Sequence, residues 1–465
     1  MLHHMVAGLS KPLRRGGNYG IHKCLQAVRL RKLSGLSVAP AVKNLESATA
    51  NAPDVLVVGA GVIGCSTAYH LSLRGLSVLV LDTRGVAAAQ SSKSWGFCRQ
   101  QGRDSRELEL MAECMRRWVQ LEDELGFSVG WQTCGNLALC DHPKRWEQFK
   151  KWIPLAQESG IGTELVNGSD LSKLLPKLEG DWLGGVWTET DGSADPESAT
   201  RAFARAAELR GAQFRLFAPS VDSLVVQGPR VMGVRLSTGE VINAGCTVVA
   251  AGAWSSDLLR PVLRLPQLRV RATAARTERL TDLGSDYAGF PNIGVWAPRC
   301  SFRLRVDGTM TIADGGYAEE AEFEANAVRY GYQYLPGYVQ SPVKVNPVHD
   351  ITHTRDPNPN PRRIDQAAAT FHKMFPSLPE LRIKEVWAGH IDLTPDMVPV
   401  IDVGGELPEG LVVSTGYSGH GLGIAPGAGR LSADMVQSGK RPHEAEVFRA
   451  CRFNEKVFFK PESVF

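Results

Sequence analysis

The chain has 465 residues, 43% hydrophobic and 22% charged, with a formal net charge of +3. That length exceeds the usual single domain, and the balance is that of an ordinary globular protein, so two domains, perhaps interleaved, are expected. No apolar run approaches the roughly 18 residues of a membrane-spanning helix, which argues against a transmembrane segment.

Taken in order, the chain opens on a basic stretch. Residues 1–50 hold eight Lys or Arg and a single acid, Glu46, which leaves the rest slightly acidic. An acidic body has no electrostatic footprint for nucleic acid. The leader reads as a transit peptide and points to a mitochondrial location. A disordered extension and a cytoplasmic location stay open. The nine cysteines are scattered without a CxxC pair, which predicts reduced thiols and no zinc or iron–sulfur site.

Asp54 to Asp82 reads DVLVVGAGVIGCSTAYHLSLRGLSVLVLD. A short apolar run meets Gly59, Gly61 and Gly64, then a helical pattern, then a second apolar run ending on Asp82. This is a βαβ unit for a dinucleotide. The glycines permit the turn, the approach of a pyrophosphate and the packing of helix on strand, and Asp82 stands where a ribose would be bound. Val62 and Ile63 begin the helix whose free amides and positive dipole end face phosphate.

The loop AAAQSSKSWGFCRQQGRD, from Ala87 to Asp104, carries Ser91, Ser92, Gly96, Arg99 and Arg103. Its chemistry suits covering a cofactor. Periodicity predicts a helix over Glu107 to Leu125, a strand within Trp131 to Leu139, and helices near Trp146 to Ser159 and Asp170 to Leu175. Asp195 before Pro196 caps another helix. A hairpin spans Val231 to Ile242. A second strand-to-glycine turn follows from Cys246, where Ala251, Gly252 and Trp254 are placed to touch the same cofactor.

Val270 to about His353 is rich in strand signals, with Asp307-Gly308 as a hairpin turn. Such a block suits a substrate platform. Arg303 and Arg305 share one face of a strand, where a guanidinium can clamp a carboxylate, against the alternative of a solvated edge. His349 and His353 alternate as in a strand, so no metal site is expected. Prolines then precede a helix over Ile364 to Phe375. His390 and Asp392 lie in VWAGHIDLTPDMVPVID. Leu411 to Thr415 enters a glycine-rich turn of Gly416, Tyr417, Ser418, Gly419, His420 and Gly421, with a helix expected near Ala425 and Pro426. Dense glycine there lets backbone approach a flat ring, and His420 is a candidate to hydrogen-bond near it. Ser418 does not meet the GxSxG pattern of a hydrolase.

Together VVGAGVIGCSTAYHL, SSKSWGFCRQQ, VVAAGAWS, WAGHIDLTPDMVPVID and TGYSGHGLGIAPGAGRLSADMV resemble the FAD-dependent amine and amino-acid oxidoreductases. That family includes glycine oxidase, D-amino-acid oxidase and dehydrogenase, and sarcosine oxidase; the segment from Trp387 to Asp402 is most like the sarcosine oxidase β-subunit-like branch. The resemblance implies an α/β fold: a Rossmann-type FAD-binding domain over 51–140, 190–265 and 385–440. It also implies an inserted, largely antiparallel β substrate domain over 141–189 and 266–384, with residues 441–465 as a tail. The implied chemistry is hydride transfer from the carbon beside a neutral amine to flavin N5, then imine hydrolysis. The substrate is an amino acid or an N-methyl or cyclic amine carrying a carboxylate. Family members place an arginine at about Arg303; Arg99 and His390 are further candidates.

Three departures matter. The cysteine that links flavin in monomeric sarcosine oxidases is missing between Trp387 and Thr394, so FAD is expected to be non-covalent. The family's lysine after SGHG corresponds to Gly423, and its oxygen-activating lysine falls near Met310 or Thr311. The electron acceptor is then a quinone or electron-transfer flavoprotein in preference to oxygen. The closing TGYSGHGLGIAPGAGR also resembles a mitochondrial FAD-dependent oxidoreductase domain protein associated with respiratory complex I assembly. That alternative implies a flavin fold kept as a binding or assembly module.

Overall fold

A computed structural model of the chain describes residues 36–45, 52–280, 290–296, 299–315, 320–323, 344–347 and 356–455. All of them belong to one compact unit, Leu36–Phe465. Most of the leader, His349, His353 and the last ten residues lie outside the described residues.

The elements that position the site are, in chain order, β1 (Val55–Val58), α1 (Val62–Ser72), β2 (Val78–Asp82), α2 (Ser105–Leu125), β3 (Asn136–Cys140), α3 (Pro196–Glu208), β4 (Gln213–Leu216) and β5 (Cys246–Val249). There follow β6 (Leu268–Thr277), β7 (Asn292–Trp296), β8 (Arg299–Leu304), β9 (Met310–Ala313), β10 (Ile383–Leu393), β11 (Val400–Val403), β12 (Leu411–Thr415) and α4 (Gly421–Ser438).

The first sheet has the order β11-β12-β5-β1-β2-β4. Its strands run parallel except for β11, which is antiparallel to β12. The four residues of β1 are all buried, as expected of a parallel strand covered on both faces. Helix α1 packs between α3 and α4 and is buried along its whole length. Close approach explains the glycines of α4. A Cβ at Gly427 would come within 2.7 Å of Cys114 and Leu110 on α2, and one at Gly429 would overlap Ser66 on α1. The sequence predicts a turn at the glycine run with the helix opening near Ala425. The helix instead opens at Gly421 with Pro426 inside it, because these glycines serve helix packing as well as the turn.

The larger sheet is mostly antiparallel. Its central order is β6-β9-β8-β7-β3, and β3 is flanked by Gly184–Thr188 and then Thr163–Asn167. Strand β10 pairs with β6 along its length, Leu393 opposite Leu268 and Val386 opposite Ala275. Strand alternation gives this sheet two unlike faces. Leu137, Leu139, Ile293, Phe302 and Ile312 pack with Ile364 and Phe371 of the helix Pro361–Met374. Ala138, Gly294 and Ser301 face the other way and line a cavity. Strand β3, in a range expected for the nucleotide-binding part, and β10, mostly in one, hydrogen-bond into the larger sheet.

The described parts of the expected leader and tail also pack against the body. In the expected leader, Asn44 bridges to Phe214 on β4, Leu45 donates to the Phe214 carbonyl, and Ala39 is buried in the core. In the expected tail, Arg441 pairs with Asp402 at 2.9 Å, and buried Arg452 pairs with Asp396 at 2.9 Å. Among the described residues no helix is long and apolar enough to cross a membrane.

Candidate active site and cofactor cavity

One cavity of about 420 Å³ runs between the two sheets. Its first end is the turn from β1 into α1. Gly59 has φ +110°, a conformation that side-chain-bearing residues rarely adopt, and a Cβ there would overlap the Ala250 carbonyl just beyond β5. A Cβ at Gly64 would overlap the Gly59 carbonyl, so this glycine serves packing and does not line the cavity. At Gly61 a Cβ would lie 3.1 Å from Ser91 Oγ, inside the approach to the helix end. Asp82 accepts from Ala60 N at 2.8 Å with one oxygen, and from the Arg84 and Gly85 amides with the other. Its carboxylate therefore holds the turn while lining the cavity.

The loop after β2 crosses this end. Ser91 Oγ accepts from Val62 N at 2.9 Å. Ser92 was expected to touch cofactor, but its hydroxyl donates to the Ala89 carbonyl at 3.2 Å within its own turn, away from the cavity. Gln90, which sequence reading missed, spans three segments: its Oε1 accepts from Ala253 N at 2.8 Å and its Nε2 donates to Asp392 Oδ1 at 3.0 Å. The other oxygen of Asp392 accepts from Gly416 N at 2.9 Å. Burial raises the Asp392 carboxyl against the pull of these donors. Gln90 thus ties the covering loop to both later glycine turns.

The ring end divides unevenly. Ile63, Ala251, Gly252, Trp254, Tyr417, Gly419 and Gly421 line the cavity. Gly416 and Ser418 do not: Gly416 is turned towards Thr394, and Ser418 Oγ accepts from Thr394 N at 3.1 Å. His420 is also displaced from its expected place. Its ring is buried behind the turn, with Nε2 2.7 Å from Glu107 Oε1 on α2. Burial and the cations Arg103 and Arg99 push its pKa down against the pull of Glu107. His390 does line the cavity, edge-on to Trp254 at 6.1 Å between ring centres.

The third side of the cavity is the larger sheet under residues 95–103. Arg99, Gln101, Arg103, Asn136, Ala138, Gly294 and Ser301 all line it. Arg99 Nη1 donates to the Gln101 carbonyl, and Arg103 Nε donates to the Arg99 carbonyl at 3.3 Å. Asp191 holds this loop from beneath, accepting from Gln100 N at 2.9 Å and Gln101 N at 3.1 Å. Its complete burial outweighs those amides and pushes the carboxyl up to about 7.

Arg303, the sequence candidate for a carboxylate clamp, is 2% exposed and does not line the cavity. Its Nε donates to the Trp95 carbonyl, and Gly96, at φ +90°, leaves the space its guanidinium fills. Burial and neighbouring Arg305 push its pKa down to about 10. Arg305 is ion-paired with Asp195 at 2.8 Å. Another cation that sequence reading passed over, Lys93, is on the cavity wall and paired with Asp356 at 3.0 Å. Gln90 and Lys93 lie in the loop already expected to cover a cofactor, but their individual roles come from fold contacts with Ala253, Asp392 and Asp356. No metal-binding cluster of His, Cys, Asp or Glu occurs among the described residues.

Residues 54–435 match the family model described as DAO, FAD dependent oxidoreductase. The chain is 26% identical over 427 residues to mitochondrial sarcosine dehydrogenase of Homo sapiens, covering 88% of this chain and 42% of that protein. It is 26% identical over 420 residues to the bifunctional protein ThiO/ThiG of Trichormus variabilis, covering 88% and 56%. The chain thus spans about half the length of the curated relatives it matches. L-amino acid deaminase from Proteus vulgaris has the same fold, with a TM-score of 0.77 at 23% identity over 89% of this chain and 100% of that one. With the match running from the residue before β1 into α4, the chain belongs to the FAD dependent oxidoreductase (DAO) family.

Proposed function

We propose that the protein oxidises the C–N bond of a small amino acid, or of an N-methyl or cyclic amine that carries a carboxylate. The observation that carries this reading is the continuity of one cavity from the glycine turn and Asp82 to Arg99, Arg103 and the larger sheet. FAD fits its first part, because the space a Cβ at Gly61 would take lies beside the amides that open α1. Gly59, Gly61, Val62, Asp82 and Ser91 are assigned to its diphosphate and ribose, and Gly252, Tyr417, Gly419 and Gly421 to its ring. Bound there, FAD supplies the electron sink.

The chain's own residues supply position and charge. Arg99 is assigned to the substrate carboxylate, since it lines the chamber and Arg303 does not. The two guanidiniums of Arg99 and Arg103 disfavour a further positive charge beside them, which favours the neutral amine that the reaction requires. Trp95, Phe97 and His390 wall the chamber and exclude water from the reacting carbon. No cysteine lines the cavity among the described residues, which supports non-covalent FAD. Lys93 is tied to Asp356, which it shares with Arg84, and the family's lysines fall at Gly423 and near Met310 or Thr311; the acceptor is read as a quinone or electron-transfer flavoprotein ahead of oxygen. The basic leader supports mitochondrial residence.

Anaerobic mixing of the FAD-loaded protein with N-methyl, cyclic, L- and D-amino acids tests the reading. Loss of the oxidised flavin band is expected with one substrate class. Full FAD content with no loss for any amine would overturn it and turn attention to a binding or assembly module.

A further inference from the structure

The chamber floor is made of residues with almost no side chain. Ala138 on β3 lies opposite Gly294 on β7, and Gly294 lies opposite Ser301 on β8, all lining the cavity, with Gly315 beyond β9. Asn136 projects from the same face as Ala138 and also lines the cavity.

Asn136 is 3% exposed, and its amide has one orientation. Gln101 Nε2 donates to the Asn136 carbonyl, the Val186 carbonyl and Thr188 Oγ1, each at 3.0 Å. Gln101 must therefore turn Oε1 towards Asn136, where Nδ2 donates to it at 2.6 Å. Asn136 Oδ1 is left as an acceptor with no hydrogen-bond partner. Buried acceptors without donors are costly and rare in native proteins, so a ligand that brings a donor gains there.

We propose that this end of the chamber receives the substrate's side chain, and that this side chain is large and ends in an O–H or N–H donor directed at Asn136 Oδ1. The assignment rests on the reading of the site as an amine-oxidising chamber and names its substrate class. Ala138, Gly294 and Ser301 put little side-chain volume into the floor, and Trp95 and Phe97 give apolar walls for a bulky group. A hydroxyphenyl or carboxamide side chain satisfies both features. A phenyl or alkyl group of equal size leaves the acceptor unpaired, and sites built around a hydrogen bond reject such analogues strongly.

The test uses carboxylates that lack the amine and so cannot be oxidised. The FAD-loaded protein is titrated calorimetrically with 3-(4-hydroxyphenyl)propanoate, 3-phenylpropanoate and acetate. The hydroxyphenyl acid should bind about 10- to 100-fold more tightly than the phenyl acid, and both more tightly than acetate. In Asn136→Leu the ratio between the aromatic pair should fall towards one. Ser301→Leu, which fills the floor without touching the Gln101 pair, should weaken both aromatic acids more than acetate, and it serves if Asn136→Leu fails to fold. Equal binding of the aromatic pair, tightest binding of acetate, or binding of none overturns the proposal. A persistent hydroxyphenyl preference in a protein whose flavin no amine reduces would overturn the oxidation reading and leave only a donor-selective pocket at Asn136.

Discussion

The two ends of the cavity are built in opposite ways. The nucleotide end is built mainly on one continuous stretch, Asp54 to Asp82, where Gly64 packs on Gly59 and Asp82 holds Ala60, with only Ser91 and Ala250 closing on it from outside the βαβ unit. The chamber end is assembled from β3, β7, β8, β10 and a loop, and its contacts reach far along the chain: Gln101 to Val186 and Gln90 to Asp392. A local site fails when one backbone approach is blocked. An assembled site fails piecewise, through position and charge, and the two should separate under mutation.

The largest effect is expected at the local end. Gly61→Val would place a branched side chain against Ser91 and across the phosphate approach. FAD retention should fall by at least about 100-fold, read as flavin per protein after gel filtration. A yellow variant at normal stoichiometry would erase the distinction between the two ends.

At the chamber end, Arg99→Met should raise the substrate KM by about 10- to 100-fold while leaving flavin content near normal, because a charge-assisted contact to the substrate is lost. Arg303→Met offers the contrast. Its guanidinium is buried against Trp95 and away from the cavity, so its removal should move thermal stability and not KM. The reverse pattern would return the carboxylate to Arg303.

A smaller effect concerns pH. Burial raises the Asp191 carboxyl from 3.8 to about 7 in the folded protein. The folded state then binds the proton more tightly than the unfolded one, so this group stabilises most below about pH 4 and its contribution is lost as pH rises through about 7. Relative to Asp191→Asn, the wild-type Tm should therefore decline between pH 4 and pH 7. A difference that does not vary with pH would place Asp191 among ordinary ionised carboxylates.

The same contrast explains what could be read from the residues alone. The βαβ unit, the capped helix after Asp195 and the Asp307-Gly308 hairpin are legible because their signals are local and periodic. His420 was expected beside the ring because its glycine neighbours suggested it. Its actual partner is Glu107, brought there by the packing of α2 on α4, which no local pattern reports. Arg303 had the right residue type on the right strand, but whether it faces the chamber depends on where the Trp95–Gly96 loop settles. Asn136 carries no motif, and Gln101 closes the SSKSWGFCRQQ segment without any sign of its partner; their roles arise only when β3 meets the loop over it.

The most direct test of a shared cavity is anaerobic rapid mixing of wild type and Arg99→Met with the amine that reduces the flavin, over a range of concentrations. Arg99→Met should reach a similar limiting rate of flavin bleaching at about 10- to 100-fold higher amine concentration, with FAD content unchanged. Identical concentration dependence in the two proteins would show that the amine does not bind in the chamber beside the nucleotide end, and would contradict the account.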